Sequence, residues 1–262
     1  MSRPLVIVEL FPGLLFNQGD GGNVLALAWR ARRRGIEVNV RSVQLGEPVP
    51  TADLYVIGGG EDEDQALVAQ RLRIDGTVAR AAADGSVVFG VAAGYQILGR
   101  AFPGPDGEAA DGLGLLDATT TLGEFVDRRV VTRARPDLGL PAMSGYESHR
   151  GRTALGPGVQ PLAELEIGTG NGALVAGTAG GSARAGVVPP TTDGAIQGHV
   201  VGTYLHGPVL PRNPELADLL LAWALGRRPD ELAPLGERES RFASLVRSER
   251  IAEARKYAKE LR

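Results

Sequence analysis

The chain of 262 residues contains no cysteine. This absence excludes a disulfide framework, a thiolate metal site and a thiol nucleophile in the protein as it stands. Lysine is scarce too, since Lys256 and Lys259 are the only lysines among the 28 basic residues. The formal net charge is −3, which excludes a nucleic-acid-binding protein that acts through a strongly basic surface.

Long apolar runs are also missing. The longest apolar runs, for example residues 219–225, are far shorter than the roughly 20 residues that a membrane-spanning helix needs. The N-terminus has no basic region followed by an apolar stretch and a cleavage site. The content of 43% hydrophobic and 23% charged residues excludes wholesale disorder. We therefore expect a folded cytoplasmic enzyme or enzyme subunit, with one large domain or one domain and a small appendage.

The first half of the sequence alternates strand and helix patterns. We expect the first helix to begin at an Asn23 cap and to end at Gly35. The predicted strands are residues 5–10, 36–43, 53–57 and 86–91, and the predicted helices are residues 23–34, 66–84 and 95–101. Such alternation is typical of an α/β protein with a mostly parallel, doubly wound sheet flanked by helices.

In the second half, short apolar runs are separated by glycine-rich turns. The runs are residues 129–134, 163–167, 173–176, 183–188 and 195–205, and residues 171–172 form an Asn-Gly hairpin signal. We therefore expect antiparallel β structure added to the parallel sheet. Helices are predicted over residues 213–224 and within residues 237–262. On this pattern residues 1–228 form one domain, and residues 229–262 form a C-terminal helical extension.

Residues 87–99 contain the pattern that most strongly indicates a catalytic site. A buried strand ends, small residues form a sharp turn, and a helix begins at once, as in a nucleophile elbow. Gly90, Ala93 and Gly94 give the crowded backbone room, and the helix N-terminus offers N–H groups for an oxyanion. The residue at the apex is Ala92, which has no nucleophilic atom. The alternative interpretation is an ordinary strand–turn–helix junction.

Three further segments favour a catalytic site. His206 follows a predicted strand and precedes a Gly-Pro pair, so it is the best candidate base among three histidines. Residues 58–60 are three glycines after a strand, which could complete an oxyanion hole or could form a simple turn. Residues 145–151 are a dense polar cluster that we interpret as a loop, the alternative being a solvated surface turn.

Together these segments resemble the class I glutamine amidotransferases of the CobB/CobQ branch. The residues that carry the resemblance are 90–99, 145–151 and 202–207. Within that branch the sequence is similar to the GatD family of glutaminase subunits, through residues 9–12, 17–24, 34–38 and 58–65. The resemblance covers most of residues 5–225. It implies the flavodoxin-like fold of the class I enzymes.

The resemblance implies a catalytic cysteine at the position of Ala92 and a catalytic histidine at His206. In the family a thiolate attacks the side-chain amide of glutamine, and the histidine protonates the departing ammonia. Water then releases glutamate from the thioester. The backbone N–H groups of Ala93, Gly59 and Gly60 would hold the oxyanion.

Other site residues follow from the same resemblance. Gln96 resembles a family residue that helps to seat the substrate. Arg128 or Arg129 is a candidate for the α-carboxylate of glutamine, the alternative being a solvated strand arginine. Pro208 stands where many class I enzymes have a glutamate two residues after the histidine. The CobB/CobQ branch manages with a Cys–His pair, and we expect neither a metal nor a cofactor.

The chain cannot carry out this reaction with alanine at position 92. Either Ala92 replaces a catalytic cysteine by design, to trap glutamine or to remove thiol oxidation, or the chain is a natural inactive relative. We favour the first, because His206, Gln96 and the glycines at 58–60 are intact. We expect glutamine to bind without hydrolysis, and Ala92→Cys to restore hydrolysis.

The sequence has no Gly-x-x-x-x-Gly-Lys-[Ser/Thr] segment and hence no ATP-binding P-loop. Amide synthesis needs ATP, so we expect the synthetase to be another polypeptide. The resemblance implies a heterodimer with a Mur-ligase-like partner of the MurT type, which uses the ammonia to amidate the D-glutamate of lipid II in peptidoglycan synthesis. The alternatives are the glutaminase component of another CobB/CobQ-type amidase and a non-catalytic glutamine-binding scaffold.

Overall fold

The computed structural model of the protein describes residues 3–16, 18–172 and 191–260. Its centre is a six-stranded sheet of β1 (Leu5–Leu10), β2 (Val38–Val43), β3 (Leu54–Ile57), β4 (Val87–Val91), β11 (Ala195–Gln197) and β12 (Val200–Thr203), numbered along the chain. The strands lie in the order β2-β1-β3-β4-β12-β11. All neighbours are parallel except β11, which is antiparallel to β12. The predicted α/β fold with a mostly parallel sheet is confirmed.

Helices cover both faces of this sheet, because its connections run in two directions. The helix α1 (Gly21–Arg33) connects β1 to β2, whereas α2 (Asp62–Asp75) and α3 (Thr77–Ala83) connect β3 to β4 in the opposite direction. Right-handed crossovers place such helices on opposite faces. The helices α5 (Val209–Arg212) and α6 (Pro214–Ala224) pack beside α1. Every residue of β3, β4 and β12 is buried, as expected for parallel strands covered on both sides.

A second, mostly antiparallel sheet follows the helix α4 (Ala93–Leu98). Its strands are β5 (Ala101–Pro103), β6 (Ala109–Asp111), β7 (Ala118–Thr132), β8 (Ser144–Leu155), β9 (Ala163–Ile167) and β10 (Thr192–Asp193). The long antiparallel pair of β7 and β8 has a register shift between Leu122 and Val126. The predicted addition of antiparallel β structure is therefore confirmed, and α4 links the two sheets.

Three local predictions are wrong. The helix α1 begins at Gly21, and the Asn23 side chain does not cap it but accepts a hydrogen bond from the Leu210 N–H at 2.9 Å. Residues 145–151 are not a loop but part of β8. The run at 195–205 contains two strands joined by a turn: β11 is antiparallel to β12, as expected, but β12 itself belongs to the parallel sheet. In each case a long-range contact, absent from the local pattern, decides the structure.

The predicted C-terminal helix is α7 (Glu237–Glu260). Its residues Ile251 and Ala254 pack against Val131 of β7, and Arg255 donates two hydrogen bonds of 2.7 Å to the carboxylate of Glu166 in β9. The division at residue 228 remains a prediction.

The strands predicted at residues 173–176 and 183–188, and the segment that the Asn-Gly signal at 171–172 leads into, lie outside the described residues. In the described part of the chain, no helix combines the length and the apolar character needed to cross a membrane.

Candidate active site

The turn between β4 and α4 has a backbone conformation that side chains rarely adopt. Ala92 has a φ of 48° and a ψ of −106°, a region that costs a non-glycine residue about 1–3 kcal/mol. A Cβ atom on Gly94 would lie 2.3 Å from the Ile57 carbonyl oxygen, and one on Gly90 would lie 2.6 Å from the Gly94 carbonyl oxygen. The close approach of β3, β4 and α4 therefore holds position 92 at the apex of a strained turn.

The strand β12 brings His206 to this turn. The Ala92 N–H donates to the carbonyl oxygen of Thr203 in β12 at 2.9 Å, and His206 follows three residues later. The His206 N–H donates to the Tyr146 carbonyl oxygen at 2.8 Å, and the two rings stack with centroids 5.6 Å apart. Burial, with a smaller contribution from His149, lowers the pKa of His206 from 6.5 to about 4. The imidazole is therefore neutral at neutral pH, the form that can accept a proton.

Gly59 lies between Ala92 and His206. A Cβ atom built on Gly59 would be 3.2 Å from Cε1 of His206 and 3.5 Å from Cβ of Ala92. The Ala92 methyl group and the His206 imidazole therefore both lie beside this glycine, and a larger residue at position 59 would contact both. The structure thus brings together the expected nucleophile position and the expected base.

Asp20 also belongs to this group, although sequence reasoning missed it. The Gly59 N–H donates to Oδ2 of Asp20 at 2.8 Å, so this N–H is already occupied, unlike the free donor that we expected. The carboxylate is fully buried, and burial raises the pKa of Asp20 while the Gly59 N–H opposes that effect. Its other oxygen, Oδ1, lies 4.0 Å from Nδ1 of His206. An aspartate just before a helix is usually a cap, which gave no reason to single it out.

A cavity of about 460 Å³ opens beside this turn. Its wall includes four of the predicted site residues, Gly60, Ala92, Ala93 and Gln96, and residues 148–151 of β8 on another side. The volume lies in the range of small-molecule sites. In the described part of the chain, no three or more His, Asp or Glu side chains are arranged to hold a metal ion.

Gln96 is held in the cavity wall by two neighbours. The amide nitrogen of Gln65 donates to Oε1 of Gln96 at 3.0 Å, and Nε2 of Gln96 donates to the Tyr204 hydroxyl at 3.3 Å. The same hydroxyl shares a hydrogen bond of 2.7 Å with Thr153. This chain of contacts fixes the orientation of the Gln96 amide. Gln65 also lines the cavity, but it lies in a polar helical turn whose pattern does not distinguish it.

The two arginines expected to bind the α-carboxylate do not line the cavity. Nε of Arg128 lies 3.8 Å from Oε1 of Glu147, and Arg129 pairs with Glu253 of α7 at 3.3 Å. Arg150 of β8 lines the cavity instead. Sequence reasoning missed Arg150 because the segment around it was interpreted as a loop.

Glu147 and His149 support the cavity from β8. Glu147 is fully buried and accepts hydrogen bonds from the N–H groups of Thr169 and Gly170 at 2.7 and 2.6 Å. Burial alone would raise the pKa of Glu147, but hydrogen bonds from His149 and from these two N–H groups lower it. The His149 ring stacks on Tyr204 with centroids 3.8 Å apart. The polar cluster at residues 145–151 is therefore a mostly buried strand rather than a solvated turn, although Arg150 is exposed.

Solved structures share this architecture. The chain superposes on a structure titled as a glutamine amidotransferase with a TM-score of 0.54 and 22% sequence identity, covering 83% of this chain and 98% of the other. This likeness is one of fold.

Sequence comparison identifies the family. The chain is 31% identical over 264 residues to the lipid II isoglutaminyl synthase (glutamine-hydrolyzing) subunit GatD of Staphylococcus aureus, covering 96% of this chain and 99% of that protein. It is 35% identical to the cobyric acid synthase of Pelotomaculum thermopropionicum, over 73% of this chain and 36% of that protein. Residues 14–214 match the CobB/CobQ-like glutamine amidotransferase domain. The elbow at Ala92, the nearby histidine and these matches together show that the chain belongs to the CobB/CobQ-like glutamine amidotransferase family.

Proposed function

We propose that this chain is the glutamine-binding subunit of a two-subunit lipid II isoglutaminyl synthase, and that Ala92 abolishes its hydrolysis of glutamine. The observation that carries the proposal is the geometry around Gly59. Ala92 occupies the apex of a strained elbow, lies near the buried imidazole of His206, and lines a cavity of about 460 Å³. A nucleophile at position 92 would therefore meet both a base and a bound substrate.

The chemistry follows from these positions. A thiolate at position 92 would attack the side-chain amide carbon of glutamine, forming a tetrahedral oxyanion. His206 would accept the thiol proton and return it to the amide nitrogen, so that ammonia leaves and a thioester remains. Water would then release glutamate. The Ala93 and Gly60 N–H groups remain candidates for the oxyanion, since Asp20 accepts the Gly59 N–H.

The cavity walls suggest how glutamine is held. Gln96 and Gln65 present amide groups from one side, and Arg150 presents a guanidinium group from β8. An arginine can bind a carboxylate through two parallel hydrogen bonds. We therefore assign the α-carboxylate of glutamine to Arg150 in place of Arg128 or Arg129.

The relatives support a proposal for the partner and the acceptor. The proposed partner is a Mur-ligase-like synthetase of the MurT type, which forms a heterodimer with this chain and uses ammonia to amidate the D-glutamate of lipid II. The similarity to GatD over 96% of the chain supports this assignment. The similarity to cobyric acid synthase supports an alternative, a glutaminase component of another CobB/CobQ-type amidase. Purification of the complex from its host distinguishes the two by the identity of the synthetase.

The substitution Ala92→Cys tests the active site directly. We expect ammonia release from glutamine, measured with the synthetase partner present, to rise at least about 10³-fold above the Ala92 chain, because the missing nucleophile is restored. Ala92→Ser is the matched control, since it adds a polar atom at the same position without a thiolate, and it should stay at background.

Calorimetry on the unchanged chain supplies the second half of the test. We expect glutamine to bind without turnover, and to bind more weakly after Arg150→Ala. If Ala92→Cys stays inactive while its thiol also resists alkylation by a diazo-ketone analogue of glutamine, the assignment of the active site is wrong. Glutamine binding in that case would favour a non-catalytic, glutamine-binding scaffold.

A further inference from the structure

Two buried side chains beside the elbow have polar atoms without hydrogen-bond partners, and these atoms lie near each other. In the described part of the chain, both ring nitrogens of His206 and Oδ1 of Asp20 are fully buried and make no hydrogen bond. Nδ1 of His206 and Oδ1 of Asp20 are 4.0 Å apart. Buried polar atoms are almost always satisfied, so an orphaned pair of this kind calls for an explanation.

Burial and a hydrogen bond fix the position of the Asp20 side chain. It lies between β1 and α1, with no exposed surface, and Oδ2 accepts the Gly59 N–H at 2.8 Å. That bond ties the carboxylate to the same glycine that separates Ala92 from His206. Neither Asp20 nor His206 is among the residues that line the cavity, and Oδ1 of Asp20 lies 4.0 Å from Nδ1 of the imidazole.

We propose that Asp20 is the positioning residue of His206, accepting a hydrogen bond from Nδ1–H and so leaving the lone pair on Nε2. This inference rests on the proposed function. Position 208, where many class I enzymes carry a glutamate, is proline here, and Asp20 supplies a carboxylate from a different part of the chain. The distance of 4.0 Å is long for a hydrogen bond, but such contacts are often loose without substrate and tighten in the complex.

Other groups around the imidazole are consistent with this role. The Tyr146 ring stacks on His206 and its hydroxyl is directed to Gln18 at 3.3 Å, so it does not hold either ring nitrogen. His149 is paired with Glu147 and the Gly151 carbonyl oxygen. Among the described residues, Asp20 therefore has the carboxylate that lies within 4.0 Å of Nδ1 of His206. Among the residues that the structure describes, no hydrogen bond to either ring nitrogen selects one neutral tautomer of His206.

The tautomer of His206 tests the proposal without any catalytic assay. In the Ala92 chain at neutral pH, long-range ¹H–¹⁵N NMR of the histidine rings should show His206 protonated on Nδ1. In Asp20→Asn the amide oxygen keeps the Gly59 N–H, so the NH₂ group faces Nδ1 and the proton should move to Nε2. Asp53→Asn is the matched control, because Asp53 also accepts a backbone N–H, from Val6 at 2.8 Å. Protonation of Nε2 in the unchanged chain overturns the proposal.

Kinetics in the Ala92→Cys background give the second readout. Adding Asp20→Asn should lower kcat at least about tenfold, because the histidine would carry its proton on the wrong nitrogen, whereas KM should change less than about threefold. Adding Asp53→Asn should leave both unchanged. An unaltered kcat with Asp20→Asn would overturn the proposal. If Ala92→Cys has no activity, the proposed function fails, while the tautomer measurement still decides the role of Asp20.

Discussion

At position 92 the backbone keeps the strained conformation of a nucleophile elbow although the side chain is only a methyl group. Ala92 has a positive φ of 48°, which a non-glycine residue adopts only when its surroundings impose it. The hydrogen bond from its N–H to Thr203 and the glycines at 90 and 94 supply that constraint. With alanine at its apex, the turn therefore still has the geometry of a nucleophile elbow.

The buried imidazole of His206 makes stability depend on pH. Its folded-state pKa of about 4 lies below the ordinary value of 6.5, so folding favours the neutral ring. This contribution to the free energy of unfolding is present above pH 6.5 and is lost as the pH falls through 4. Asp20 and Tyr146 lie next to the ring, and His149 acts on it through charge repulsion.

We expect the free energy of unfolding to fall by about 3 kcal/mol from this source between pH 6.5 and 4. Urea denaturation across this range measures the loss. In His206→Gln, which cannot titrate there, the decline should be smaller by that amount. An identical pH dependence in the two chains would show that His206 is not buried in its neutral form.

Among the secondary-structure elements, the junction of β4 and α4 depends most on small residues. Gly94 lies so close to β3 that its missing Cβ would be 2.3 Å from the Ile57 carbonyl oxygen. Backbone atoms on both sides cannot move away without breaking the hydrogen bond from the Gly94 N–H to the Gly58 carbonyl oxygen, which is 3.0 Å long. The glycine therefore permits the packing that sets the direction of position 92.

Gly94→Ala should destabilise the protein by about 3 kcal/mol or more, because the new methyl group would clash with backbone atoms, which cannot move aside as a flexible side chain can. The matched control is Gly158→Ala, since a Cβ at Gly158 meets nothing within 4 Å, and it should change stability by less than about 1 kcal/mol. Chemical denaturation of both variants measures the difference. Equal effects would mean that the junction tolerates a side chain.

The strand β8 shows why local patterns mislead at the level of elements. The polar cluster from Gly145 to Gly151 was interpreted as a loop, but both glycines lie within a strand of 12 residues. A Cβ on Gly151 would lie 2.3 Å from the Tyr204 hydroxyl, and one on Gly145 would lie 3.1 Å from the His206 carbonyl oxygen. These glycines permit close approach of another element rather than a turn, a use that the sequence pattern does not reveal.

In the molecule as a whole, the second sheet forms part of the cavity wall, and the last helix, α7, packs against that sheet. Residues 148–151 of β8 and Leu122 and Phe125 of β7 line the cavity opposite the elbow. On the far part of the sheet, Ile251 and Ala254 of α7 pack against Val131. The C-terminal helix is thus attached to the sheet that forms one wall of the site.

Ile251→Ala should weaken the docking of α7 on the second sheet by about 2 kcal/mol of free energy, because it removes buried apolar contacts. Limited proteolysis should then cut within α7 faster than in the unchanged chain. Leu245→Ala, on an exposed part of the same helix, is the control and should not change the rate. A product near residue 236 that stays folded would support the predicted division between residues 1–228 and the C-terminal extension. Unchanged cleavage of Ile251→Ala would show that this contact does not hold the helix.

The sequence by itself determined the alternation of strands and helices and the elbow at Ala92, and it singled out His206 as the candidate base. These features depend on neighbours in the chain: a buried strand, small residues at a turn, and a histidine at a strand end. The prediction of residues 163–167 as a strand is confirmed at the same residues, for the same local reason.

Only the tertiary structure decided which groups meet. Asp20, Gly59 and His206 lie far apart in the chain, and the order of the strands in the sheet brings them together. Arg150 reaches the cavity, while Arg128 and Arg129 do not, because of the register of β7 with β8 and the position of α7. Contacts of this kind depend on strand order and register, which no local pattern encodes.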